Sequence, residues 1–303
     1  MAVRRVLRVA GVGASAAIAV GTAALYIDAP VADKDDDTFL QHRANHTRDR
    51  FPAYVSAAAR SVLFYPATLV SKVYLGMMND FTCRNEETLE KWVLSRPDHR
   101  ALITVTNHSA TVDDPAVLAA MLPWSCARPS LSRWSICSQE YCYAKGPLLS
   151  TIFFGTKTLP IKRGAGIDHP FLEDLFKRVQ DGDWVHIFPE GKIVQGGRDG
   201  PEATTIGRLK WGVGKLIARA EITPVVLPIY HVGMDKVCAI HRETLQTALF
   251  GDGFTWESGA AEKKLYSAIT RRIELALLAL EKKCYIDMAA IDSARANTTT
   301  LMT

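Results

Sequence analysis

No G-x-S-x-G occurs anywhere in the 303 residues, so the chain lacks the strand-to-helix serine turn on which α/β-hydrolases build their nucleophile. No P-loop and no pattern specific for coenzyme A is visible. The six cysteines, at 83, 126, 137, 142, 238 and 284, show neither C-x-x-C nor zinc spacing. Free buried thiols are therefore expected. Charge of one sign is also scarce: 36 Lys and Arg against 32 Asp and Glu leave a net +4. That charge is not gathered into a stripe and no RNA or DNA module appears, which argues against a nucleic-acid partner and suits anionic lipid headgroups. No internal repeat is apparent.

What is present is enough apolar residue, 48% of the chain, to bury the core of one catalytic domain with extensions. Apolar runs at 101–106, 134–138, 158–162, 184–188 and 224–229 read as strands, and they alternate with helical patterns at 115–122, 168–180 and 207–220. Such alternation predicts an α/β fold, a mostly parallel sheet flanked by helices, with its ligand site at the strand ends.

Four stretches place polar residues beside those runs. In the first, Asn107-His108-Ser109-Ala110-Thr111-Val112-Asp113-Asp114-Pro115 follows a strand, and Asp114-Pro115 reads as the N-cap and first position of the next helix. A histidine there can take a proton from a hydroxyl, and Asp113 can hold its ring in the right tautomer. This is the base-and-orienter half of a triad without a protein nucleophile, so the attacking oxygen belongs to a substrate alcohol and the target to an acyl ester or thioester. The plainer reading is that His108 caps the helix. In the second stretch, Leu159-Pro160-Ile161 delivers Lys162, Arg163 and Gly164, and a guanidinium fork suits a phosphate, although an exposed ion pair is equally ordinary. In the third, Phe188-Pro189-Glu190-Gly191-Lys192 ends a strand; Glu190 can accept from a glycerol hydroxyl or simply fix a turn. The fourth is the proline-containing strand Pro224-Val225-Val226-Leu227-Pro228-Ile229.

In this order the four stretches resemble the glycerolipid acyltransferase family, whose signature is H-x-x-x-x-D, an arginine block, F-P-E-G and a proline-containing apolar strand. Longer runs, Asp181 to Lys192, Leu209 to Ile217 and Leu227 to Asp235, resemble the tafazzin branch of that family. The resemblance implies a CoA-independent transacylase that moves acyl groups between phospholipids such as phosphatidylcholine and lysophospholipids, remodelling cardiolipin at a mitochondrial membrane, with no cofactor or metal. It assigns His108 as general base, Asp113 as its orienting carboxylate, Arg163 to the lipid phosphate, and Glu190 and Gly191 to the acceptor's glycerol part. The chain departs from that branch in its compact stretch between Arg163 and Asp183 and in residues 237–256, where little matches. An acyl-CoA-dependent lysophospholipid acyltransferase of the same fold is the alternative, and a catalytically silent membrane-binding protein the second.

Residues 1–27 carry Arg4, Arg5 and Arg8, no acidic residue, and an uncharged run from Val9 to Ile27. Membrane anchor, organelle-targeting segment and secretory signal all fit this pattern, and a mitochondrial anchor fits best. Residues 28–78 read as an acidic linker followed by an apolar amphipathic region, 79–285 as the acyltransferase domain, and 286–303 as a disordered tail. Pro147 to Phe154 is too short to span a membrane but can enter one leaflet or pack in the core. Apolar positions Leu265, Ile269, Ile273, Leu277 and Leu280 have the spacing of a helix packed on the core. His186, inside a strand, reads as a satisfied core histidine, and His231 as a residue that can line the site.

Overall fold

A computed structural model describes residues 18–23, 53–144, 146–162, 170–195, 204–236, 245–250 and 262–300. Most of the expected amino-terminal segment and linker, together with Arg163 and Gly164, lies outside these residues. The elements are α1 (Ala53–Met77), β1 (Asp80–Arg84), α2 (Glu86–Leu94), β2 (Leu102–Thr106), α3 (Asp113–Met121), β3 (Ser135–Ser138), α4 (Gln139–Cys142), α5 (Pro147–Gly155), β4 (Thr158–Ile161), α6 (Pro170–Gln180), β5 (Trp184–Ile187), α7 (Gly212–Arg219), β6 (Val225–Val232), β7 (Leu245–Phe250) and α8 (Glu262–Thr300).

The main sheet has the order β1-β7-β6-β2-β5. Strand β2 pairs in parallel with both β5 and β6. A parallel bridge from Trp134 to Val185 brings the small parallel sheet β3-β4 alongside β5. The ends of β2 and β5 that carry the His108 and Glu190 stretches therefore lie side by side. Strand β7 runs antiparallel to β6 and parallel to β1, so the far edge of the sheet is reversed. Neither β1 nor β7 has a readable pattern: β1 is only half-buried and charged at both ends.

Alternation along the buried strands divides the core into two layers, as a sheet covered on both faces requires. Ile103, Val105, Val185, Ile187, Val226 and Tyr230 face α6, α7 and α8, which contribute Leu175, Leu216, Ile269, Ile273 and Leu277. Leu102, Trp184, Leu227 and Ile229 face α1, α2 and α3 through Leu75, Leu89, Val117 and Leu118. Helix α1 is fastened to α3 by Lys72, whose ammonium donates to the carbonyls of Ala120 and Leu122. It thereby satisfies acceptors that the end of α3 leaves open.

Three expectations are corrected here. Asp114 takes the extended backbone, φ −113°, ψ 124°, of a cap position, but its side chain does not cap α3: the carboxylate accepts from Arg133 Nε at 2.7 Å in a buried ion pair. Cys137 and Cys142 are not free thiols but a disulfide, because β3 and α4 meet in a turn that brings their Cα atoms to 6.3 Å. Cys83, Cys126 and Cys284 are free. Helix α8 continues to Thr300 through most of the stretch expected to be disordered; Ala289, Ala290, Ala294 and Ala296 are strong helix formers, and they outweigh the polar residues among them.

Candidate active site

His108 and Asp113 meet as their spacing predicts. The sharp connection after β2 puts His108 Nδ1 at 2.9 Å from Asp113 Oδ2. The same oxygen accepts the backbone N–H groups of Ser109 at 2.7 Å and Ala110 at 2.9 Å. These backbone bonds fix the carboxylate, which is 1% exposed, while the imidazole is 18% exposed. With Nδ1–H donated to Asp113, Nε2 is the ring atom left to receive a proton. Phe188 stacks on the imidazole with centroids 4.0 Å apart and ring planes 20° from parallel. No serine, threonine or cysteine side chain hydrogen-bonds the ring among the described residues.

Glu190 joins the same site, although it does not point outward as a free acceptor. Its Oε1 accepts the backbone N–H of His108 at 2.9 Å and its Oε2 that of Gly207 at 2.8 Å. Burial raises its pKa from the ordinary value, against the lowering effect of those two bonds. Gly207 has to be a glycine, since a Cβ there would come within 2.6 Å of Glu190 Oε2 and 2.8 Å of Val194 Cγ2. Gly191 takes φ +66°, and a Cβ would press on the Lys210 side chain at 2.9 Å. The loop then crosses over the histidine: Val194 N–H donates to His108 O at 2.7 Å, and Gln195 Nε2 to Ser109 O at 2.9 Å. Arg163, expected at the phosphate, falls outside the described residues.

Three further groups lie around the dyad, and of these only the Asp114–Arg133 pair had no signal of its own in the sequence. His231, at the end of β6, has Nε2 at 3.0 Å from Asn107 O and 3.7 Å from Asp113 Oδ2. Burial lowers its pKa, with Asp113 opposing, which favours a neutral ring. The Asp114–Arg133 pair lies beside Asp113; burial works to raise the Asp114 pKa, but Arg133 turns the net shift downward. His186 is the core histidine its strand position suggests. It bonds Thr104 Oγ at 2.8 Å, and burial pushes its pKa down to about 4.

Among the described residues the arrangement holds one imidazole oriented by a carboxylate, a loop across it and no side-chain nucleophile on the ring. The acyltransferase family model matches residues 80–232, half of this 303-residue chain, and spans every site residue named above. The chain belongs to the acyltransferase family.

Among its relatives it is 36% identical over 184 residues to the N-acylphosphatidylethanolamine synthase of Arabidopsis thaliana, covering 61% of this chain and 62% of that one. It is 33% identical over 169 residues to the tafazzin of Drosophila melanogaster, with 56% and 43% covered. To the taffazin of Dictyostelium discoideum it is 34% identical over 141 residues, with 45% and 47% covered. The chain thus spans between 43% and 62% of the length of these relatives. The 1-acyl-sn-glycerophosphate acyltransferase PlsC of Thermotoga maritima aligns with a TM-score of 0.46 at 14% identity, over 80% of this chain and 88% of that one.

Proposed function

We propose that this chain is a phospholipid–lysophospholipid transacylase that works without CoA and remodels cardiolipin acyl chains at a mitochondrial membrane. The observation that carries the reading is the dyad: His108 Nδ1 bound to buried Asp113 at 2.9 Å with no side-chain nucleophile on the ring among the described residues. The lysophospholipid hydroxyl gives its proton to His108 Nε2 as its oxygen attacks the donor's ester carbonyl. The tetrahedral intermediate then expels the donor's glycerol oxygen, which takes the same proton back. Asp113 stabilises the imidazolium in between. Arg163 holds the lipid phosphate, and Glu190 with Gly191 shapes the loop that receives the acceptor's glycerol part. Similarity to the tafazzins of fly and slime mould supports the transacylase chemistry and the mitochondrial setting.

In this proposal residues 1–27 anchor or target the chain, 28–78 link and dock it, and 79–285 form the catalytic domain. Docking on the membrane is supported by apolar side chains left open on α1, among them Leu69 at 51%, Val70 at 65% and Met77 at 80% exposure, with Leu148 on α5 at 70%. Among the described residues no helix is long and apolar enough to cross a bilayer; the open apolar side chains of α1 suit interfacial docking.

A second reading has its own support: similarity to an N-acylphosphatidylethanolamine synthase favours transfer to the amine of phosphatidylethanolamine. The test is acyl transfer by the purified protein on liposomes holding cardiolipin, labelled phosphatidylcholine and a lysophospholipid, with and without acyl-CoA, beside His108→Ala. Transfer without CoA that is lost in the variant is expected. Transfer only with acyl-CoA would make the chain a CoA-dependent acyltransferase, and none at all a silent membrane-binding protein. A labelled N-acyl product would favour the second reading.

A further inference from the structure

Glu281, on α8, lies well beyond the family-matched residues 80–232, yet hydrogen bonds lead from it to the candidate histidine. Its carboxylate is buried, with the residue 7% exposed. Oε1 accepts the Thr205 N–H at 2.7 Å and the Thr205 hydroxyl at 2.6 Å. Oε2 accepts the Thr204 hydroxyl. The Tyr230 hydroxyl stands 2.5 Å from Thr205 Oγ and 3.2 Å from Oε1. Thr204 Oγ in turn accepts the Ile206 N–H at 3.1 Å. Among the described residues no Lys or Arg pairs with this carboxylate. A buried carboxyl group needs its hydrogen bonds met, and all of these donors come from residues 204–205 and the end of β6.

That short segment has one evident task. Two residues after Thr205, Gly207 donates its N–H to Glu190 Oε2 at 2.8 Å, and Glu190 Oε1 holds the His108 N–H at 2.9 Å. Because a Cβ at Gly207 would sit 2.6 Å from Glu190 Oε2, the fit leaves little room for the segment to shift without displacing Glu190. We infer that Glu281 is a positioning residue: from α8 it sets the 204–207 segment, and through Gly207 and Glu190 it sets the backbone that carries the His108 base. The inference rests on the proposed catalytic role of the His108–Glu190 site.

Five proteins test it: the wild type, Glu281→Ala, Glu281→Gln, Glu190→Gln and the Glu281→Ala/Glu190→Gln double variant, assayed for acyl transfer on liposomes, with the exchange of backbone amides followed by mass spectrometry. Glu281→Ala is expected to lower kcat tenfold or more with the KM for lysophospholipid unchanged, to speed exchange in the segment containing Gly207, and to leave β2 and β5 protected. Glu281→Gln keeps an acceptor oxygen for Thr205 and is expected to recover part of kcat. In the Glu190→Gln background, Glu281→Ala should cost less than a further twofold, since both act through one carboxylate. A full tenfold loss in that background, or wild-type kcat in Glu281→Ala alone, overturns the proposal. Wild-type turnover by Glu190→Gln alone overturns the role of Glu190 itself and is read separately. Should Glu281→Ala not fold, Thr205→Val removes the shared hydroxyl and must show the same kcat loss and the same dependence on Glu190.

Discussion

Replacing Asp113 by Asn tests the site at its buried oxygen. An asparagine oxygen in the place of Oδ2 can still accept from Ser109 N, Ala110 N and His108 Nδ1, now at 2.7, 2.9 and 2.9 Å. The turn should therefore survive. What is lost is negative charge beside the ring at the moment the ring becomes cationic. Two charges with centres about 4 Å apart interact by ~4 kcal/mol at an effective dielectric of ~20, which is about a thousandfold in rate at ~1.4 kcal/mol per decade. The amide nitrogen would also be buried in place of Oδ1, costing roughly 1–3 kcal/mol of stability. Initial rates of liposome acyl transfer and urea denaturation measure the two effects. A folded Asp113→Asn protein within tenfold of the wild-type rate would refute the orienting role and return His108 to a helix-cap residue.

Lys157 donates to Ser132 O at 3.0 Å and sits over the Trp134 ring, and burial lowers its pKa to about 7. The unfolded chain holds that proton up to about 10.4, so stability should rise with pH between those values. Lys157→Met should flatten the rise, and urea midpoints at pH 7 and 9.5 check it: an unchanged difference between them would refute the assignment. On α1, Leu69→Asn with Val70→Asn should weaken liposome binding about tenfold or more, from roughly 1 kcal/mol of lost burial at each half-exposed position. Equal co-sedimentation of variant and wild type would remove α1 from the membrane face.

The parts legible in the sequence are those whose pattern is local. Each of the five strands read from apolar runs is present to within a few residues, because a strand buried on both faces must be continuously apolar. The spacing of His108 and Asp113 was sufficient because one tight turn brings them together. By contrast β1 and β7, at the reversed edge, interrupt their apolar residues with polar or charged ones, as in Asp80–Arg84 and Leu245–Phe250, and present no continuous run. Asp114 looked like a cap because the sequence shows Asp-Pro before a helix, and nothing local reveals that Arg133, from just before β3, would claim the carboxylate. The inward turn of Glu190 was equally hidden: its partners are backbone N–H groups at 108 and 207, and backbone leaves no trace in residue identity. Glu281 reads as one more charged position on a helix until the fold sets it against Thr205.

Proton counting separates the two acceptors. A hydroxyl acceptor must lose one proton during attack, and His108 Nε2 takes one. Phosphatidylethanolamine presents an ammonium, which must lose a proton before it is a nucleophile and another as the amide forms. Asp113 is committed to His108 Nδ1 and two backbone amides, and Glu190 to two more, so neither is placed as a second base. The free amine must then come from solution. Its fraction grows about tenfold per pH unit below the alkylammonium pKa, near 10.4 for lysine, whereas transfer to a hydroxyl levels off once the imidazole is neutral. With lysophosphatidylcholine and phosphatidylethanolamine offered together, ester product should dominate at pH 7, and the N-acyl share should climb steeply toward pH 9. An N-acyl product that dominates at pH 7 with a flat profile would require a second base at the site and would give the amine reading precedence.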